Sequence, residues 1–417
     1  MADAQDEGRG EWRASWHVVL ASALGMALST THVYSTGIFI APLERAYGWG
    51  RAEITAGLTI VSVIGVLTAP FVGLAVDRFG PRRIGIASVA GFCVAMALLS
   101  LAGPSIWSWW ALWLLLAIPA TGIKPTIWTA AVSSLFRRHR GLALSLMLCG
   151  TGIGSSMTPI LCNWLIREHG WRAAYLGLAG ATALLVLPVV VLFLSSARDR
   201  SRRGGASGAA IPVAPLTGYT VREGIGSARF LKLAAGAFLI STVAVSFVVN
   251  LVPILTAAGV TRDRAAALAG LAGAASVVGR LAAGAMLDRG NGNRIAAVSV
   301  TLPIPAALLI LAAPGEPAAS LAAAIVLGLC LGSELDAVAY LATRHLGMRS
   351  FGVLFGTISG LLALSTGLGS LLVSYVYDRT GSYVPVLWAY LPACVLASLL
   401  FGTLGPYPDH DRATAAA

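Results

Sequence analysis

Charged side chains are scarce in this chain of 417 residues, where they make up only 11% of the total. Soluble domains carry about 25%, so a water-soluble protein would lack the polar surface needed to cover so apolar a core. Hydrophobic residues make up 57%, and apolar runs recur from His17 to Leu404. Runs of about 20 residues cross a ~30 Å hydrocarbon layer as helices. The chain is therefore an integral membrane protein, and a helical one, because barrel strands alternate apolar and polar residues.

Cysteine is also rare, and its placement excludes several classes of site. There are five cysteines, an odd number, and all lie within apolar runs. They form neither a disulfide framework nor a metal-ligand spacing, so we expect small packing residues, no metal and no cofactor. No catalytic constellation or phosphate loop is present, since the Gly-rich GTGIG at 150–154 lies inside an apolar run with no strand before it. We expect neither an enzyme nor an ATP-driven pump, and interpret those glycines as sites of close helix approach.

The apolar runs predict twelve transmembrane helices in two sets of six. The first set covers about 17–43, 52–76, 84–103, 109–134, 141–166 and 171–196, and the second about 229–257, 264–287, 294–313, 318–343, 350–377 and 383–404. The segment between them is rich in Arg, Ser, Gly and Pro and is typical of a flexible linker. The predicted organisation is a tail (1–16), a six-helix half (17–196), a linker (197–228), a second half (229–404) and a second tail (405–417).

The net charge of +11 raises the possibility of nucleic-acid binding, but the placement of the charges argues against it. Most of the 29 Lys and Arg residues lie in short connectors on the side of the membrane that holds both termini. Cytoplasmic loops carry such an excess. We therefore expect a multi-pass protein of the cell membrane with both termini in the cytoplasm, no nucleic-acid partner and a monomeric state.

The two sets of helices are copies of each other. A constant shift of 211 residues superposes matching residues at the ends of the predicted helices. The matched pairs include Pro42 with Pro253, Gly48 with Gly259, Arg51 with Arg262, Asp77 with Asp288 and Arg83 with Arg294. Parallel repeats of six spans are the plan of one transporter class, in which the halves rock about a site near the midplane.

A charged loop between the second and third predicted helices carries the most specific motif. Its sequence, GLAVDRFGPRRI at 73–84, resembles the G-x-x-x-D-R-x-G-x-R-R loop of the major facilitator superfamily, and GAMLDRGNGNRI at 284–295 is a partial second copy. The resemblance implies an all-α membrane fold with two pseudo-symmetric bundles and a loop that controls the conformational change. We expect Gly73 to permit close helix contact. The expected gating residues are Gly73, Asp77, Arg78, Arg82, Arg83, Asp288 and Arg289.

Longer segments resemble the monocarboxylate porter and oxalate/formate antiporter group of that superfamily. They are GIFIAPLERAYGWGRAEIT (37–55), FRRHRGLALSLMLCGTGIG (136–154), and GSELDAVAYLATRHLGMRSFGVLFG (332–356) with DRTGSY (378–383). The resemblance implies alternating-access transport of small organic anions, often lactate- or pyruvate-like, by proton symport or anion exchange. Oxalate exchangers that resemble this chain place a lysine in the eleventh helix. None lies there in this chain, which favours a monoanion unless Lys124 replaces that lysine.

Arg280 lies within the eighth predicted helix, where a charge costs about 2.5–3.5 kcal/mol on insertion scales. A guanidinium gives a carboxylate two parallel hydrogen bonds and stays charged. Monocarboxylate porters that resemble this chain use an arginine in this helix to hold the substrate carboxylate. Several also have an aspartate one turn earlier for proton coupling, where this chain has Ser276. The alternative is that Arg280 only braces neighbouring helices.

Three further charges lie at membrane depth. Lys124 is in the fourth predicted helix, and Glu334 and Asp336 flank the equivalent position in the tenth. Lys124 is a candidate to hold the anion or to pair with the tenth helix, unless it only serves a carbonyl freed by Pro125. Glu334 and Asp336 are about 200° apart around a helix, so one is a candidate proton acceptor and the other a partner for an arginine such as Arg280. The sequence leaves open which is which.

Several neutral residues are weaker candidates for substrate binding. They are His32, Tyr34 and Ser35 in the first predicted helix, Asn250 in the seventh, and Ser365 and Thr366 in the eleventh. Each can instead satisfy the backbone or a neighbouring helix. The unperturbed pKa of histidine, near 6.5, also makes His32 a candidate for proton exchange. The alternative function is export of a larger amphipathic compound through a roomy cavity lined by Gly and Ala.

Overall fold

The computed structural model describes residues 2–136, 139–195, 218–287, 289–347 and 349–408. Within these ranges the chain is almost entirely helical, and the β-structure consists of one bridge between Gly218 and Gly347. The predicted all-helical membrane fold is confirmed.

Six α-helices precede the linker. They are α1 (Ala2–Tyr47), α2 (Arg51–Phe79), α3 (Pro81–Leu98), α4 (Ile106–Gly122), α5 (Pro125–Leu135) and α6 (Arg140–Phe193). Helix α1 includes most of the segment that was expected to be a tail. Its proline, Pro42, lies inside the helix. Helix α6 covers both the fifth and the sixth predicted spans. It consists of two helical segments that meet at Gly170, where a left-handed φ of 80° interrupts the helix.

In the ranges that the structure describes from Gly218 onward, there are nine helices. They are α7 (Val221–Gly226), α8 (Ala228–Val249), α9 (Leu251–Ala257), α10 (Arg262–Leu287), α11 (Gly292–Ser299), α12 (Pro303–Ala312), α13 (Pro317–Leu346), α14 (Phe351–Thr380) and α15 (Val384–Gly402). In the described ranges, 11 stretches are long and apolar enough to span a membrane. One of them is the 53-residue Gly141–Phe193, which is far longer than one crossing requires. Divided at Gly170, it raises the number of crossings to twelve.

Prolines break three helices that the apolar pattern predicts as continuous. The breaks lie at 123–124 before Pro125, at Asn250 before Pro253 and at 300–302 before Pro303. A proline lacks the N–H that an inner turn needs, and its ring clashes with the carbonyl four residues earlier. Two of these breaks place candidate residues, Lys124 and Asn250, at helix ends rather than inside helices.

The chain divides into two compact units. The first holds the described residues up to Trp49 and from Ala56 to Ser195, and the second holds Gly50–Thr55 with the described residues from Gly218 onward. The first turn of α2 therefore belongs to the second unit, while the rest of α2 belongs to the first.

Glycines allow two pairs of helices to approach closely, one pair in each unit. A Cβ added at Gly150 of α6 would lie 1.9 Å from the Ala23 carbonyl oxygen of α1. In the second unit, a Cβ at Gly332 of α13 would lie 1.9 Å from the Ser276 carbonyl oxygen of α10. These contacts confirm that the glycines at 150–154 serve close helix packing.

Replacing Gly332 by alanine is expected to destabilise the second unit. The methyl group would overlap backbone atoms of α10 that cannot rotate away, and overpacking of this kind costs about 1–3 kcal/mol. Gly356→Ala is the matched control, because no atom lies within 4 Å of the added Cβ and alanine favours helix formation. Thermal unfolding in detergent should give a lower Tm for Gly332→Ala alone. Equal Tm values would contradict the close approach.

A carboxylate distant in sequence caps the first turn of α2. Gly50 at the N-cap has no side chain, and Asp378 accepts hydrogen bonds from the backbone N–H groups of Arg51 at 3.0 Å and Ala52 at 2.8 Å. The Arg51 guanidinium lies 3.7 Å from the centre of the Tyr377 ring and donates to the Tyr383 hydroxyl at 2.7 Å. Asp378 thus takes the place of a local N-cap side chain.

Replacing Asp378 by alanine is expected to loosen this turn. Loss of an N-cap acceptor costs about 0.5–2 kcal/mol, so amide hydrogen exchange across Gly50–Thr55 should rise several-fold. Glu168→Ala is the control, because Glu168 pairs with the adjacent, exposed Arg167, and exposed pairs contribute little. Unchanged exchange at Arg51 and Ala52 in Asp378→Ala would refute the cap.

The end of the predicted linker is fixed on the second unit from Gly218 onward. The Tyr219 N–H donates to the Leu346 carbonyl at 3.0 Å. At the start of α7, the Thr220 N–H donates to the Glu223 carboxylate at 2.9 Å, and the Glu223 N–H donates to the Thr220 hydroxyl at 3.4 Å. Hydrogen bonds from Thr220 lower the pKa of Glu223, because they favour the ionised carboxylate. Residues 197–217 of the expected linker lie outside the described ranges.

Candidate functional site

Lys124 is held at the break between α4 and α5. It is the N-cap of α5, with an extended backbone (φ −69°, ψ 166°), and its side chain makes no capping hydrogen bond. Among the residues that the structure describes, no carboxylate or hydrogen-bond acceptor pairs with its ammonium group. The possible role of serving a nearby carbonyl is therefore not seen. Lys124 is therefore a cation without a counterion in the described part of the chain.

His32 is buried in the first unit, the unit that also holds Lys124. Its side chain is 6% exposed, and its ring centre lies 5.6 Å from that of Phe92. Nδ1 has no hydrogen-bond partner in the described part of the chain. Tyr34 is half-buried, and because it follows His32 by two residues it faces another side of α1. His32 and Tyr34 therefore do not face the same surroundings.

Arg280 and Asp336 form an ion pair in the second unit. The Arg280 Nη1 lies 2.9 Å from the Asp336 Oδ1, and the two side chains are 12% and 25% exposed. Helix α10 supplies the arginine and α13 the aspartate. This contact answers the question that the sequence left open, since Asp336 is the acid that pairs with Arg280. Arg280 is consequently neutralised by the protein itself.

Glu334 and Asn250 are both buried in the second unit. Glu334 is 6% exposed and faces the Ser241 hydroxyl. Asn250, at the break between α8 and α9, is fully buried and donates from Nδ2 to the Ser246 carbonyl at 2.9 Å. Its Oδ1 has no hydrogen-bond partner among the described residues. Both residues lie deeper in the packing than the Arg280–Asp336 pair.

The remaining hydroxyl candidates satisfy the backbone of their own helices. Ser35 donates to the His32 carbonyl at 3.4 Å. Ser365 and Thr366 both donate to the Leu362 carbonyl, at 2.7 and 3.3 Å. Each hydroxyl therefore donates its proton within its own helix, which is the alternative to substrate binding considered for these residues.

The loop between α2 and α3 and its partial copy hold the predicted gating residues. Arg82 donates to the carbonyl oxygens of Val191 at 2.6 Å and of Leu194, so it binds the end of α6. Arg83 and Arg289 are exposed, and Arg78 lies 5.4 Å from the Phe79 ring. Among the described residues, no atom lies within 4 Å of a Cβ added at Gly73, which corrects the expectation of close helix contact there. The Asp77 side chain and Asp288 lie outside the described parts of the chain.

A cavity of about 560 Å³ lies among α2, α3 and α4 in the first unit. Its lining is apolar apart from the hydroxyl of Ser88, and several lining side chains, such as Val94 and Ile118, are exposed. It offers no cation for an anionic substrate. The charged candidates and this cavity are therefore separate features.

Some residues of these sites carry no sequence signal that would single them out. Gly65 makes room for the Lys124 ammonium, Ser241 faces Glu334, and Asp378 caps α2. Glycine and serine are common in membrane helices. Asp378 lies in DRTGSY, a segment noted only for its family resemblance.

The profile of the Major Facilitator Superfamily matches residues 22–369, which is more than half of the chain. The chain belongs to this superfamily. A solved structure of a bacterial homologue of the human lysosomal transporter Spinster, in an inward-facing and occupied conformation, has a TM-score of 0.66 at 16% identity. It covers 94% of this chain and 95% of that one, and at this identity the likeness concerns the fold alone.

Two curated relatives match over most of their length. A gallate transporter of Pseudomonas putida is 28% identical over 375 residues, which are 79% of this chain and 82% of the relative. Monocarboxylate transporter 13 of Bos taurus is 28% identical over 399 residues, which are 92% of this chain and 87% of the relative. With the fold and the family, these relatives identify a multi-pass membrane transporter rather than an enzyme.

Proposed function

We propose that this protein is a secondary transporter of a small organic monoanion, such as lactate, pyruvate or an aromatic acid. The observation that carries the proposal is Lys124, a cation at membrane depth that pairs with no acid among the described residues. A charge in this position is costly and typically serves a substrate or ion pathway. The substrate carboxylate would supply the missing counterion.

The second unit supports a substrate of charge −1. Arg280 is the other cation among the candidates, and Asp336 already neutralises it at 2.9 Å. Lys124 in the first unit offers a single positive charge that no described acid balances, which matches the charge of a monoanion.

The same ion pair is the proposed site of proton coupling. When Asp336 takes up a proton it no longer balances Arg280, and the freed guanidinium becomes available to an anion. Protonation and anion binding would thus favour each other, as linkage requires of two ligands that stabilise one state. His32 and Glu334 remain alternative proton acceptors, while Tyr34 and Asn250 have no contact that assigns them to the substrate.

The relatives add chemical context. The names of the two curated relatives refer to gallate and to monocarboxylates, and gallate is itself an aromatic carboxylate. We place the protein in the cell membrane with both termini in the cytoplasm, as the distribution of Lys and Arg indicates. The second candidate is export of a larger amphipathic compound, which the apolar cavity of about 560 Å³ favours.

Uptake into proteoliposomes tests the proposal. Labelled lactate, pyruvate and gallate would be offered to the purified protein, with and without an inward proton gradient. We expect saturable uptake of at least one of them, stimulated by the gradient or by the same anion loaded inside. If no carboxylate moves while an amphipathic dye does, the exporter is the correct function.

A further inference from the structure

The Lys124 ammonium group lies in a notch on α2 that exists because residue 65 is a glycine. An added Cβ at Gly65 would lie 3.2 Å from the Lys124 Nζ, 3.8 Å from its Cε and 3.8 Å from the Thr121 Oγ1. Gly65 itself is buried. Any side chain at position 65 would therefore be in direct contact with the charged end of Lys124.

The walls of the notch do not neutralise this charge. The Thr68 hydroxyl lies 3.2 Å from the Thr121 hydroxyl and links α2 to α4. Thr68 also donates to the Ile64 carbonyl at 2.7 Å, and Thr121 to the Ala117 carbonyl at 3.0 Å. The hydroxyls are engaged with backbone and with each other, and no carboxylate lies against the ammonium in the described ranges.

The backbone around the notch adds to its preference for an anion. Helix α5 begins at Pro125, directly after Lys124, and the start of a helix carries a partial positive charge. His32 of the same unit is nine-tenths buried, and its Nδ1 has no partner among the described residues. A small anionic group at the notch would meet the ammonium of the residue that directly precedes the start of α5.

We propose that Gly65 is a specificity-determining residue, whose missing side chain keeps Lys124 without a counterion and thereby admits the carboxylate of the substrate. This inference rests on the proposed function. It predicts that the site takes the compact carboxylate end of a monoanion, and that the charge of the side chain at position 65 decides whether an anion binds. Gly65 acts through Lys124, so it is a positioning residue rather than a ligand.

The test compares Gly65→Asp with Gly65→Asn in the full-length protein. The two side chains are nearly equal in size, but only the aspartate supplies a negative charge beside the Lys124 Nζ. With labelled gallate and pyruvate as probes, the KM of Gly65→Asp should be at least about tenfold higher than that of Gly65→Asn, because charge-assisted pairs are about twice as strong as neutral ones. Equal KM values in the two variants would overturn the inference.

A double-mutant cycle with Lys124→Gln separates this role from a purely structural one. If Gly65→Asp acts by neutralising Lys124, its effect should shrink to about threefold or less in the Lys124→Gln background, as expected for coupled neighbours. The residual binding in that background would be measured by thermal shift. A full, additive effect would show that position 65 acts through packing alone and would refute the proposal.

Two further outcomes are also decisive. If either variant fails to fold, Gly65→Ser and Gly65→Ala replace them, because the serine hydroxyl can accept a hydrogen bond from the ammonium and the alanine methyl cannot. The serine variant should then have the higher KM, and equality would count against the proposal. If the wild-type protein moves neither probe, nor lactate, the proposed function itself fails. If the wild-type protein transports a probe and the matched variants have equal KM values, only the proposed role of Gly65 is refuted.

Discussion

Lys124→Gln is expected to remove saturable anion uptake while leaving the fold at least as stable as the wild type. Truncating one partner of a buried charge pair costs about 2–5 kcal/mol of binding, and each 1.4 kcal/mol is a factor of ten. The apparent affinity should therefore fall by about 30-fold or more. The protein itself contains no described counterion for Lys124, so removing the charge breaks no ion pair.

The stability of the same variant separates a functional lysine from a structural one. A buried charge without a partner destabilises the folded state, and functional sites often carry such a cost. The Tm of Lys124→Gln should equal or exceed that of the wild type. Lys232→Gln is the matched control, because Lys232 lies near the start of α8 and donates to the Thr403 carbonyl at 2.9 Å. Its uptake should be unchanged. Loss of stability with retained uptake in Lys124→Gln would identify a structural lysine instead.

Asp336→Asn is expected to uncouple transport from the proton gradient. The asparagine mimics the protonated acid, so Arg280 would be free at every pH. Uptake driven by an inward proton gradient should lose its stimulation, while exchange of anions across the membrane should continue. Measuring both modes in the same proteoliposomes separates coupling from substrate binding. Continued stimulation by the gradient would move the coupling site to another group, with His32 and Glu334 as the alternatives.

The partner variants of this pair provide the controls. Arg280→Gln alone leaves the half-buried Asp336 carboxylate without its cation, and an uncompensated charge of this kind destabilises the folded state. A low Tm in Arg280→Gln should therefore recover in the double variant with Asp336→Asn. Glu334→Gln is the control for coupling, because Glu334 makes no ion pair among the described residues and faces Ser241. It should keep the response to the gradient.

The breaks in the predicted helices show where sequence periodicity is insufficient. The run at 109–134 is predominantly hydrophobic and predicts one helix, whereas Pro125 divides it and leaves Lys124 as the N-cap of the second piece. The proline was visible in the sequence, but prolines also occur inside α1 and α2 without ending them. Whether a proline kinks or ends a helix depends on the neighbours that satisfy the freed backbone groups.

The sequence by itself determined that this protein lies in a membrane, which architecture it has and to which family it belongs. Few charges and runs of about 20 apolar residues require a helical membrane protein, and the shift of 211 residues together with the loop at 73–84 indicates a duplicated transporter fold. These conclusions depend on composition and spacing along one chain. They do not require knowledge of how any helix is rotated.

The tertiary structure alone decided which charges meet. Asp336 pairs with Arg280 across 56 residues, and Asp378 caps the start of α2 across 327 residues. Lys124 reaches a notch that one glycine leaves open. Each outcome depends on how packed helices are rotated and on how closely they approach, to within a few ångströms. The periodic pattern of apolar residues along a helix specifies neither the rotation nor the distance. For that reason the candidates could be named from sequence, but only packing distinguished the neutralised Arg280 from the unpaired Lys124.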